Sequence, residues 1–100
     1  MIRKTIEEIK AEYPNPGSMH NRVVNRNYCV GGAILKACKI HTIGHPIVKV
    51  LADGLQMINT ELPECCAHSY AYNIIEANDA HRYEKAWAIA EEAFNYKENE

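Results

Sequence analysis

The chain has no uninterrupted apolar run of membrane-spanning length, no excess of positive charge, no glycine-rich phosphate loop, no internal repeat and no low-complexity segment. Each absence removes a class of function. A bilayer-crossing helix needs roughly 20 apolar residues, and no stretch approaches that, so no membrane partner is expected. The opening Met1-Ile2-Arg3-Lys4-Thr5-Ile6-Glu7-Glu8 breaks its apolar pattern with charge and lacks the apolar core of a secretory signal. Eleven basic and thirteen acidic residues are spread along the chain, giving a formal charge of −2. That leaves no basic stripe to follow a phosphate backbone, and nucleic acid is not an expected partner. There is also no dinucleotide fingerprint and no Ser-His-Asp signature, so no cofactor is expected. The cysteines are even in number, Cys29, Cys38, Cys65 and Cys66. Without a secretory signal these read as reduced thiols of a cytosolic protein rather than a disulfide framework. Cys65 and Cys66 are neighbours, and a bridge between them within a helix would be strained.

What is present is helical patterning over 100 residues, 47% of them apolar, which suits one packed domain spanning 1–100. Ile2, Ile6, Ile9 and Tyr13 share one face of an amphipathic helix that Pro14 would end, with Arg3, Lys4, Glu7, Glu8 and Glu12 opposite. After the turn cluster Asn15-Pro16-Gly17-Ser18, Asn27 is placed to cap a second helix over about Tyr28 to Lys39. Small or apolar residues surround that helix, broken by Lys36 and Lys39, so it is expected at the centre of the domain. Gly31, Gly32 and Ala33 would be its close-packing surface, because each glycine costs about 1 kcal/mol against alanine in a helix.

Pro46 fits the first position of a third helix carrying Ile47, Val50, Leu51, Leu55 and Ile58. The same β-branched run ahead of Asp53-Gly54 also suits a short strand and turn. A fourth helix is expected from Glu64 to Ala77, with Ala67, Tyr70, Ala71, Ile74 and Ile75 inward. Asn78-Asp79 would interrupt it and cap a fifth, in which Tyr83, Ala86, Trp87, Ala90, Ala93 and Phe94 form the apolar stripe. The reading is an all-α domain, a small irregular bundle of four to five helices around a central buried one. The alternative is α+β with one short hairpin.

Candidate chemistry starts at Cys29. A thiol at the start of a helix is pushed toward the thiolate by unpaired amides and the helix dipole. A Cys-His hydrolase or transferase would pair it with a histidine base, here His68, with Asn73, Asn78 or Asp79 as possible orienting groups. Five histidines compete for that role, and there is little strand signal after Cys29 to deliver one as papain-like folds do. In the bland reading Cys29, like Cys38, is a small packing residue. A metal-binding module would draw on His41 and His45, four apart, and on the Cys65-Cys66-Ala67-His68 bunch, although the spacing departs from the usual zinc pairs. Arg22 and Arg26 precede the second helix and could hold an anion at its N-terminus, or merely pair with acidic helices. Tyr72 and Tyr96 are candidates for an exposed recognition surface.

Cys29-Val30-Gly31-Gly32-Ala33-Ile34-Leu35, followed by Ile74-Ile75-Glu76-Ala77-Asn78-Asp79 and a closing amphipathic helix, resembles a family of small bacterial and phage proteins. Those proteins carry a Cys-x-x-Gly-Ala-Leu helix and a later Asn-Asp before the last helix. The resemblance covers roughly the last three quarters of the chain. It differs at Ile34, where the family usually has leucine, and at Ala77, where an aromatic commonly stands. It implies a compact helical fold in which Cys29 and Gly32 pack the central helix and Asn78-Asp79 cap the last helix and tie it to the body. It implies no activity. The favoured functional expectation is a module that binds a protein partner or its own copy, of phage or mobile-element origin.

Overall fold

Thr5 and Glu8 form a reciprocal pair: the Glu8 amide donates to Thr5 Oγ1 at 3.2 Å and the Thr5 amide donates to Glu8 Oε1 at 3.0 Å. This capping box sets the start of α1 (Ile6–Glu12) in the computed structural model, which describes residues 4–13, 29–40 and 46–97. The apolar spacing pointed to a helix already under way at Ile2, but Thr5 is extended, so the helix begins at Ile6. Ile2 and Pro14 lie outside the described residues.

Four further helices follow: α2 (Val30–Ala37), α3 (Ile47–Ile58), α4 (Glu64–Asp79) and α5 (Tyr83–Asn95). The protein is all-α, and no strand occurs among the described residues. α2 is shorter than expected. Its N-cap is Cys29 rather than Asn27, and Cys29 is therefore the extended residue ahead of the first turn, not a member of it. Beyond Cys38 the chain closes α2 with the Lys39 amide donating to the Lys36 carbonyl at 3.1 Å and the Ile40 amide to the Leu35 carbonyl at 2.9 Å. That pairing needs a left-handed residue between them, and Lys39 supplies it at φ 56°.

The strand alternative for Ile47 to Gly54 is overturned, because α3 runs unbroken through Asp53-Gly54, with Pro46 as its N-cap rather than its first residue. Gly54 is not a turn residue: a Cβ there would collide with Leu35 Cδ2 of α2, so the missing side chain lets two helices approach. Gly31 does the reverse service for α3, since a Cβ on it would stand 3.0 Å from Leu51 Cδ2. Asn78-Asp79 does not interrupt α4 either. The helix passes through both and stops at His81, φ 61°, by the same amide pattern: His81 to the Asn78 carbonyl and Arg82 to the Ala77 carbonyl. Neither residue caps α5, whose N-cap is Arg82 without a side-chain hydrogen bond.

The most extensive packing is α3 on α4 and α4 on α5, joined by short connections, while α2 touches all four other helices. α2 fills the middle with Val30, Gly31, Gly32, Ala33, Ile34 and Ala37 buried, as its composition implies. Ile9, Leu51, Leu55, Ile74, Trp87 and Phe94 complete the core from the other helices. Burying each large side chain contributes about 1.5–3 kcal/mol. The interior residues foreseen for α5 are buried, apart from Tyr83, which is half-buried against the core. No described helix is long and apolar enough to cross a membrane.

Candidate functional site

The start of α2 is assembled from two distant pieces of chain. Cys29 is 1% exposed, and its Sγ accepts the Gly32 amide at 3.1 Å. From α4, 48 positions on, Asn78 extends Oδ1 to accept the Val30 amide at 2.9 Å. The Ala33 amide bonds back to the Cys29 carbonyl at 2.8 Å, so three of the first four amides of the helix have protein acceptors. An anion site at this end would need those donors. Arg22 and Arg26, the residues expected to hold the anion, lie outside the described residues.

The thiol of Cys29 is thus built into the core as a helix cap. Its proposed base, His68, stands on the exposed side of α4. A reactive cysteine needs access as well as a lowered pKa, and burial supplies neither. Asn78 is the buried side chain at this end and acts on the helix backbone, while Asp79 is exposed. Gly31, Gly32, Ala33 and Trp87 are all buried.

A second buried asparagine performs the opposite task. Asn59, the C-cap of α3, points Nδ2 at the end of α5 and donates to the carbonyls of Ala93 at 3.0 Å, Phe94 at 3.3 Å and Tyr96 at 2.9 Å. Its Oδ1 accepts the Glu61 amide at 3.1 Å. Asn59 and Asn78 are the buried polar side chains among the described residues, and each completes a helix other than its own. Asn59 was not among the sequence candidates, because Asn59-Thr60-Glu61 reads locally as nothing more than a polar turn.

Of the metal candidates, His41 and His45 fall outside the described residues. Cys65 is exposed, Cys66 half-buried and His68 exposed on the opening turns of α4. Among the described residues no group of three or more His, Cys, Asp or Glu side chains converges as metal ligands. Burial pushes the Cys66 thiol above its ordinary 9.0, a hydrogen bond with Cys65 and the charge there act the same way, and the Tyr96 hydroxyl opposes them with a hydrogen bond.

The recognition candidates divide. Tyr72 is 54% exposed on α4, and its hydrogen bond to Glu76 raises its hydroxyl pKa above the usual 10.0. Tyr96 is half-buried against the core as the C-cap of α5. Met57 on α3, 47% exposed, is a further large hydrophobic surface residue that periodicity alone did not single out. A groove of about 590 Å³ between the start of α1 and the end of α5 is lined by Lys4, Glu7, Glu8, Glu91, Phe94 and Asn95. It gathers none of the candidate residues.

Compared with protein families, with curated proteins and with solved structures, the chain matches none.

Proposed function

We propose that this is a small helical module that acts by binding a protein partner or a second copy of itself, without catalysis. The observation that carries the reading is the exposure of Tyr72, 54% open to solvent on α4. A tyrosine, with only two rotatable side-chain bonds, loses little freedom on docking and offers both an apolar face and a polar tip. Met57 adds a flexible thioether to the exposed apolar surface, and tyrosine and methionine are both enriched at protein interfaces. The burial of Cys29 supports a binding role over a thiol enzyme, since the best-placed nucleophile has no route to substrate.

Light scattering over a concentration series, with a pull-down from the source cell as the arm for a different partner, tests the reading. Association or capture of a defined protein is expected, weakened about tenfold or more by Tyr72→Ser, because truncating a central interface aromatic commonly costs about 2 kcal/mol. A protein that stays monomeric and captures nothing overturns it.

A further inference from the structure

The outward side of α4 has no aspartate, glutamate, lysine or arginine between Glu64 and Glu76. Cys65, His68, Ser69, Tyr72 and Asn73 are exposed along it at i, i+3, i+4, i+7 and i+8, which is one helical face, and exposed Glu76 closes the row. The exposed sides of α3 and α5 are built differently. α3 carries Lys49 and Asp53, 3.1 Å apart, and α5 turns out Glu84, Lys85, Glu91 and Glu92. Depletion of charge around an aromatic is the composition of an interface centre, where each charge would have to be desolvated. The row is suited to being covered.

What covers it follows from the order of residues about Tyr72. His68 stands one turn before Tyr72 and Glu76 one turn after, so the two lie about 12 Å apart along the helix and cannot pair with each other in one chain. Neither makes an ion pair among the described residues. A two-fold axis perpendicular to the helix lays the same patch on itself with the chain direction reversed, so the numbers of facing residues sum to a constant. With Tyr72 on the axis, His68 of each copy faces Glu76 of the other. Each of these contacts sits about 6 Å from the axis along the helix, within side-chain reach across the roughly 8–10 Å that separates packed helices. An imidazole then meets a carboxylate twice, and like residues meet only at Tyr72, where two rings can stack.

We propose that the outward face of α4 is a self-association surface, pairing two copies of the chain antiparallel with Tyr72 on the two-fold axis and His68 against Glu76 on either side of it. The inference rests on the binding role above and narrows it to a second copy of this chain.

Light scattering of the full chain over a concentration series at low ionic strength tests it with charge-reversal variants. The parent is expected to dimerise. His68→Glu sets a second carboxylate opposite Glu76 on both sides of the axis and should weaken the dimer about tenfold or more. Adding Glu76→Lys to the same chain restores opposite charges at both contacts and should bring the affinity back toward that of the parent. Both positions are exposed, so the variants are expected to fold, and circular dichroism verifies it. A dimer undisturbed by His68→Glu, or one that the second substitution fails to rescue, overturns the proposal. So does a monomeric parent. If that monomer captures a different protein and Tyr72→Ser abolishes the capture, the binding role stands without this pairing, whereas a monomer that captures nothing overturns both.

Discussion

Asn78 Oδ1 lies 2.9 Å from the Val30 amide nitrogen, so the last turn of α4 supplies an acceptor to the first turn of α2. Asn59 mirrors it as a donor, giving its amide protons to three carbonyls at the end of α5. In these contacts between helices one amide acts through its oxygen and the other through its nitrogen, while the Asn59 oxygen accepts the Glu61 amide locally.

Aspartate separates these two roles. Asn59→Asp turns a carboxylate toward three carbonyl oxygens and should lose more stability than Asn59→Ala, whose own cost is about 1–3 kcal/mol for stranded buried acceptors. Asn78→Asp still accepts from Val30 at a positive helix end and should be milder than Asn59→Asp by about 1 kcal/mol or more. A buried carboxyl at 59 would have a raised folded pKa. Its extra penalty is then small below the unfolded value of about 3.9 and grows as pH rises above it. Urea unfolding of the three variants at pH 3.5 and pH 7 checks both orders.

Gly54→Ala ought to stabilise a helix by about 1 kcal/mol on propensity alone. Against Leu35 the gain should fall short of that, because the Leu35 Cδ2 methyl must turn aside to admit the new Cβ. With Leu35→Ala in place the obstruction is gone, so the two changes should not be additive in thermal melts.

Lys39 ends α2 in the left-handed region at φ 56°, where a side chain costs about 1 kcal/mol relative to glycine. Lys39→Gly should therefore raise stability by about 0.5–1 kcal/mol, which for a domain of this size is a few degrees in Tm. A lowered Tm would show that the Lys39 side chain has a role of its own.

Glu8 titrates below its ordinary 4.5, chiefly because it accepts the Thr5 backbone amide and then the Thr5 hydroxyl. A depressed folded pKa means that its stabilising effect is complete above the unfolded value and is lost as pH falls through the folded one. Acidification below 4.5 should loosen α1 first, visible as faster amide exchange there. Glu8→Gln keeps the capping box and should remove that pH response.

Native-state alkylation should modify Cys65 readily and Cys66 more slowly, while Cys29 and Cys38 react only after denaturation. Mass spectrometry after a short iodoacetamide pulse distinguishes the four. Rapid labelling of Cys29 in the folded protein would reopen the thiol-enzyme reading.

The helices themselves were legible because their stripes are: α5 through Ala86, Trp87, Ala90, Ala93 and Phe94, and α4 through Ala67, Ala71 and Ile74. Their ends were less so, for identifiable reasons. Thr5-x-x-Glu8 carries a capping-box pattern in sequence, but the isoleucine period ran past it to Ile2. Asp53-Gly54 carried a turn signal whose real cause is Leu35, eighteen or more positions away and invisible to a local window. Asn78-Asp79 looked like a break because asparagine and aspartate favour caps. Asn78 is indeed a cap, but of a helix 48 positions earlier, a pairing that no local pattern encodes. At the candidate site Cys29 stood out as a thiol at a helix start and Asn78 as a cap for the last helix, but their joint occupation of the α2 terminus could not be read.

The two asparagines also bear on how the domain comes apart. Helix ends normally fray one residue at a time, yet opening α2 at Val30 also breaks its hydrogen bond to α4, and opening α5 at Phe94 breaks one to the end of α3. Those two termini, the weakest points of isolated helices, are thereby tied to the body formed by α2 to α5, which should open in one cooperative step, while α1, outside both pairings, can loosen on its own.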